Sequence, residues 1–200
     1  DPERGFSYRY DVKLDMRMNT EQKISAYDVV NTYSEEQLSK IIFEYGEERH
    51  ARKIAKLIVE ERKSSPIEKT SDLITLIKRA YPERASKHPA KKTFQAIRIE
   101  VNRELEVLEN AMSKAVELLK VGGRLAIITF HSLEDRIVKN KFKDLATACK
   151  CPKDIPICVC GGVKKFEIIT KKPIIPINDE LKNNNRAHSS KLRILERILD

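Results

Sequence analysis

At residues 122–135 the chain reads Gly122-Gly123-Arg124-Leu125-Ala126-Ile127-Ile128-Thr129-Phe130-His131-Ser132-Leu133-Glu134-Asp135, and here the spacing of apolar residues changes from helical to strand-like. The glycine pair closes the helix before it. Leu125 to Phe130 is a continuous apolar run, as a strand covered on both faces requires, and Ser132 with Asp135 fits a capping box for a following helix. Strand, turn and helix over residues 122–144 predict part of a parallel α/β sheet, with His131 and Ser132 at the strand's carboxyl end, where open sheets bind ligands. A histidine there can hydrogen-bond a base or a cofactor. The same positions also serve structure alone, with Ser132 as cap and Glu134 and Asp135 favouring the helix dipole.

Upstream, Pro89 suits a first helical turn, and Phe94, Ile97, Val101, Leu105, Leu108, Met112, Ala115 and Leu119 repeat at three and four residues. One helix from Pro89 to about Lys120 is expected. Lys91, Gln95, Arg98 and Asn102 form a second, polar stripe roughly 80° around it, either a wet edge or a row of ligand-facing groups. Further back, Ser34 with Gln37 makes a capping box and Gly46 a stop. Ala51, Ile54, Ala55 and Ile58 form one apolar stripe before Ser64-Ser65-Pro66, and Thr70 or Ser71 caps a short helix that stops at Tyr81-Pro82. Residues 1–19 show no helical period and read as a loop continuing from something upstream. Downstream, Phe166 to Ile169 and Lys191 to Leu195 read as further strands.

The 200 residues are 40% apolar and 34% charged, enough for one core of moderate size or two small ones. No run approaches the roughly 18 apolar residues of a membrane span, and no secretory signal opens the chain, so a cytoplasmic protein is expected. The net charge is +9, and residues 139–200 hold 14 Lys or Arg against 7 Asp or Glu. Lys139, Lys141, Lys143, Lys164, Lys165, Lys171, Lys172 and Arg186 suit either the phosphates of a nucleic acid or a solvated basic surface. Cys149, Cys151, Cys158 and Cys160 form two Cys-x-Cys pairs. Disulfides are not expected in a cytoplasmic protein. Four thiolates this close suit Zn²⁺, although the usual knuckle separates its paired ligands by two residues, and reduced thiols in a lysine-rich loop are the other reading. No glycine-rich phosphate loop, nucleophile elbow or zinc-protease helix appears.

Several segments come together in one order: Arg4-Gly5-Phe6-Ser7, Leu14-Asp15-Met16-Arg17-Met18, Tyr45-Gly46-Glu47-Glu48, His88-Pro89-Ala90 with Phe94-Gln95-Ala96, Arg98-Ile99 with Val101-Asn102 and Glu104-Leu105, Gly122-Gly123-Arg124-Leu125, Phe130-His131-Ser132-Leu133-Glu134-Asp135-Arg136, and Lys191-Leu192-Arg193. This ordered set resembles the 16S ribosomal RNA cytosine-N4 methyltransferase family. The resemblance implies an α/β fold, the C-terminal part of a class I (Rossmann-like) methyltransferase with an inserted all-helical domain. Residues 1–19 are then a loop continuing from a preceding methyltransferase half, 20–118 a helical insertion for RNA recognition, and 119–200 the C-terminal part of the sheet. It further implies S-adenosylmethionine as cofactor, the 16S RNA of the small ribosomal subunit as partner, no membrane, and a homodimer as one allowed assembly. The family's cofactor loop precedes its Arg-Gly-Phe-Ser motif, so cofactor contacts are expected upstream and these residues are expected to be inactive alone.

By the same resemblance His131, Ser132 and Asp15 are expected in the chemistry, and Phe6, Arg17, Lys92, Arg98 and Asn102 at the RNA. Some positions depart from the family pattern: Asp11-Val12-Lys13 stands for Asp-Gly-Pro, Lys91-Lys92 for Thr-Arg, and His188 for an arginine. Lysine at 92 keeps the charge and loses a bidentate fork. The competing expectation is a non-enzymatic RNA-binding module with a cysteine-rich zinc clip.

Overall fold

Ser25 and Ser34 each accept a hydrogen bond from the backbone three residues on, and Asp28 and Gln37 return it, so two complete capping boxes start α1 (Ala26–Thr32) and α2 (Glu35–Glu44). The computed structural model describes residues 2–82, 89–149, 151 and 160–200. They fall into two units, Asp1–Glu104 and Leu105–Asp200.

In the first unit α3 (Ala51–Glu61), α4 (Thr70–Arg79) and α5 (Ala90–Asn102) follow. Helix α2 packs on α3 and α5, and α4 on α3. Val29, Leu38, Ile42, Ile54, Ile58, Leu73, Ile77 and Ile97 are buried in one core. The cap of α4 is displaced from Thr70 or Ser71 to Lys69, whose backbone N–H donates to Asp72 Oδ2 at 3.0 Å. Thr70 is spent elsewhere: its hydroxyl donates to Tyr10 O at 2.6 Å and accepts from Val12 N at 3.1 Å. Those bonds fasten the opening segment. Leu14 and Met16 are fully buried in the helical core, and Leu14 N donates to Glu68 O at 2.9 Å.

Gly46 does more than end α2. A Cβ there would lie 2.5 Å from Ile42 O and 2.7 Å from Lys92 O, so the backbones of α2 and α5 meet at this point. From α5, Gln95 Nε2 donates to Tyr45 O at 3.0 Å and Lys92 Nζ to Glu47 O at 2.7 Å, tying the turn after α2 to α5. Gly46→Ala is expected to cost about 1–3 kcal/mol by forcing the two backbones apart. Circular dichroism in denaturant reads it, and an unchanged midpoint would show that the helices separate without cost.

The single helix expected from Pro89 to Lys120 is two. Arg103 takes a left-handed conformation, φ 49°, between α5 and α6 (Glu104–Leu118). The apolar spacing runs through the break because each half serves a different core: Phe94, Ile97 and Val101 the helical one, Met112 and Val116 a second.

That second core belongs to the other unit, with β1 (Arg124–Thr129), α7 (Ser132–Ala146), β2 (Phe166–Ile168), α8 (Asn178–Asn183) and β3 (Lys191–Arg197). Val138 and Phe142 of α7 pack there with Phe166 and Leu195. The strands lie in the order β1-β3-β2, and both pairings are antiparallel, Arg124 opposite Glu196 and Thr129 opposite Lys191. The expected parallel pairing is thus not present among the described residues. Nor is β1 covered on both faces: Leu125 and Ile127 turn to the core, while Ala126 and Ile128 on the other face are exposed.

The capping box of α7 also starts one residue earlier than expected. His131 is the N-cap, its Nδ1 accepting from Glu134 N at 3.3 Å, and Glu134 Oε2 accepts from His131 N at 3.2 Å and Phe130 N at 2.7 Å. Asp135, expected to close a box with Ser132, has its carboxylate held by Arg193 and Lys191. Among the described residues no helix is long and apolar enough to cross a membrane.

Candidate functional site

The strand end at β1 is a rigid corner. His131 has Nδ1 in the cap and Nε2 3.4 Å from Glu134 Oε1, with a side chain only 9% exposed. Ser132 opens α7. One turn on, Asp135 receives Arg193 Nε at 2.6 Å, Arg193 Nη2 at 3.2 Å and Lys191 Nζ at 3.1 Å. This joins the start of α7 to β3. Hydrogen bonds from Arg193 first, then Lys191, hold the Asp135 carboxyl below its ordinary value, against the opposing effect of burial. Phe130 at the same corner is exposed.

In the helical unit the opening segment forms a second cluster. Arg17 grips Asp15 with two bonds, Nε to Oδ1 at 2.6 Å and Nη2 to Oδ2 at 3.1 Å, and its Nη1 donates to Thr20 O and Gln22 O, both at 2.9 Å. The Arg17 hydrogen bond lowers the Asp15 carboxyl's pKa. Between them Met16 is buried at φ 57°, a left-handed conformation that a side chain adopts only where its surroundings impose it. Asn102 supplies that restraint: Oδ1 accepts from Met18 N at 2.7 Å, and Nδ2 donates to Met16 O and Arg98 O at 2.8 Å each. Arg98 makes a two-pronged bond to Glu104, at 2.8 and 3.0 Å. Phe6 packs against the core with Arg4 5.8 Å from its ring centre.

Of the expected site residues, then, Asp15, Arg17 and Asn102 are brought together around Met16, and Arg98 joins them through its carbonyl. Lys92 is apart, on Glu47 at the other end of α5. His131 and Ser132 belong to the second unit. Glu134, Arg193 and Lys191 were not singled out as site residues by sequence, although they fix the strand-end corner. Glu134 could have been found as the third residue after His131; Arg193 lies 58 residues from Asp135 and carries no local signal.

The basic tail is organised. Lys139 and Lys143 of α7, with Lys164 and Lys171, line an open groove of about 430 Å³ whose floor includes Phe142 and Ile168. Four lysines along one groove suit a phosphate backbone, with Lys164 also paired to Glu167 at 3.3 Å. Lys143→Ala and Lys171→Ala are each expected to reduce the slope of log affinity against log salt for single-stranded RNA by about 0.7. Slopes equal to wild type would remove the groove from the RNA path. Cys149, Cys151 and Cys160 lie together in the connection after α7, whereas Cys158 and His88 are outside the described residues.

An α/β protein with a capped strand-end corner, a lysine-lined groove and a separate helical unit is the class these features define. The chain belongs to the MraW methylase family, whose model matches residues 1–198. It is 98% identical over 200 residues to the ribosomal RNA small subunit methyltransferase H of Fusobacterium nucleatum subsp. nucleatum, covering 100% of this chain and 64% of that protein. Proteins of the same description from Caldicellulosiruptor saccharolyticus and Clostridioides difficile are 57% and 55% identical over 198 and 199 residues, 98% of this chain and 64% of theirs. The chain thus spans 64% of the length of the curated relatives it matches.

Proposed function

We propose that the chain is part of an S-adenosylmethionine-dependent enzyme that methylates the exocyclic N4 amine of a cytosine in the decoding region of 16S ribosomal RNA. The observation that carries this is the near identity to a ribosomal RNA small subunit methyltransferase along the whole chain. On this reading the antiparallel sheet is the tail of a class I, Rossmann-like sheet, whose remaining strands add at β1. That strand is the end of the sheet among the described residues, and it carries the exposed Ile128 and Phe130. The inserted helical domain that holds RNA is assigned to residues 20–118, of which α6 packs in the core of the sheet-bearing unit, with 1–19 a connecting segment fastened to the helical core and 119–200 the closing part of the methyltransferase sheet.

The amine is a weak nucleophile because its lone pair is delocalised into the ring. Catalysis therefore rests on aligning the base and accepting its protons. His131 and Ser132 are assigned to the amine at the strand end and Asp15 to the chemistry as a carboxylate acceptor. Phe6, Arg17 and Lys92 are assigned to the RNA, with Arg98 and Asn102 as residues that also brace the segment around Met16. When bound, the cofactor supplies the methyl group as a sulfonium. Among the described residues there is no glycine-rich turn at a strand end of the kind that holds such a cofactor. Its binding residues are assigned to the part of the relatives' length that the chain does not span.

Two measurements test this. A chain of the relatives' full length is expected to bind S-adenosylmethionine and methylate 16S RNA at a cytosine N4, while the 200 residues alone bind RNA with strong salt dependence and leave it unmethylated. Absence of N4-methylcytosine after incubation of the full-length chain with small subunits sinks the assignment. In that same full-length chain His131→Asn keeps a good N-cap side chain and removes the imidazole. A drop in kcat of about 10²-fold with unchanged thermal stability is expected, the scale of losing one positioned group. Full activity in His131→Asn leaves the residue with its cap alone.

A further inference from the structure

We propose that Cys149, Cys151 and Cys160 form a Zn²⁺ site that closes the connection between α7 and β2. The sulfur atoms of all three lie within 4.8 Å of one another, and those of Cys149 and Cys160 are 3.9 Å apart. Zinc–thiolate bonds of about 2.3 Å in a tetrahedron set neighbouring sulfurs about 3.8 Å apart, so Cys149 and Cys160 stand at that spacing and the Cys151 sulfur lies close enough to complete a three-thiolate set. The backbone is shaped to bring them there. Gly161, directly after Cys160, takes φ +58°, and a Cβ on Gly162 would collide with the Ala148 carbonyl and lie 3.3 Å from Cys160 Sγ. Only a glycine lets the returning chain lie against the residue before Cys149. The turn and the thiols therefore belong to one built feature. The three thiols gain little from burial, since Cys149 and Cys160 are exposed and Cys151 is half-buried.

Soft thiolate ligands select Zn²⁺ over the hard divalent cations. Binding replaces the three thiol protons, which pass to solvent, with metal–sulfur bonds, and the ion's fourth position is left to water or another donor. The site flanks the basic groove, since Thr147 and Lys164 line it on either side of the clip. Its role is to fix those two walls, and it is independent of the methyl-transfer assignment.

The test uses the reduced 200-residue chain incubated with excess Zn²⁺ and freed of unbound metal by gel filtration. One zinc per chain is expected by atomic emission. Co²⁺ in its place is expected to give intense near-ultraviolet thiolate-to-metal charge transfer and the visible bands of a tetrahedral ion. In competition with a chromophoric chelator, C149S, C151S and C160S are each expected to weaken Zn²⁺ binding at least tenfold, while circular dichroism stays that of the parent. A parent chain that retains no zinc and gives no cobalt charge transfer overturns the site, and so does any of the three variants binding zinc as the parent does.

Discussion

Asp135→Ala is expected to take about 3–5 kcal/mol from the unit Leu105–Asp200, the cost of leaving buried charges without their counter-ion. Arg193 is 7% exposed and faces Asp135 at 2.6 Å, with Lys191 at 3.1 Å. Without the carboxylate, a guanidinium remains in a site with little access to water. Replacing both partners by apolar residues of similar volume, as in Asp135→Leu with Arg193→Met, is expected to cost much less, because the desolvation penalty disappears with the charges. Hydrogen exchange at β1 and β3 amides in a denaturant series measures both. A single-variant loss no larger than that of the double variant would show that the ion pair is not the source.

The same contact gives an acid dependence. The folded carboxyl titrates below its ordinary value of 3.8, so protonation is harder in the folded state than in the unfolded one. The contribution is complete above that ordinary value and shrinks as pH falls through the depressed one.

Phe142→Ala is the second large effect, about 3–5 kcal/mol for a buried aromatic truncated to a methyl group. Phe142 is 1% exposed and packs in the core with Val138, Phe166 and Leu195, while its edge forms part of the floor of the lysine groove. The truncation therefore weakens the unit and widens the groove together. Phe142→Leu, which refills most of the volume, is expected to restore most of the stability. Equal losses in the two variants would place the cost in something other than cavity formation.

What could be read from the sequence was local. Ser34 with Gln37, and the Ala51–Ile54–Ala55–Ile58 stripe, carry their whole explanation within a few residues, and the structure reproduces both. The break at Arg103 could not be read. The apolar spacing is continuous across it, and an arginine in the left-handed region has no signature of its own. The opening segment read only as a loop, yet Leu14 and Met16 are buried in the helical core while Asp15 and Arg17 pair with each other. The antiparallel pairing of the described strands could not be read for a different reason. An all-apolar strand reads as covered on both sides, yet Leu125 and Ile127 alone reach the core, and the partner strand lies some 60 residues further along the chain. The family's ordered motifs were recognisable throughout. Their roles were less so, because Arg17, Lys92, Arg98 and Asn102 all make contacts inside the protein that any RNA-binding role must share.

The position of β1 at the end of the sheet among the described residues bears on how the polypeptide behaves in solution. Its outer row of backbone donors and acceptors, beside the uncovered Ile128 and Phe130, is a template onto which a like strand from another molecule can add. Preparations of these 200 residues should accordingly self-associate as they are concentrated, and a charged side chain introduced at Ile128 should keep them monodisperse.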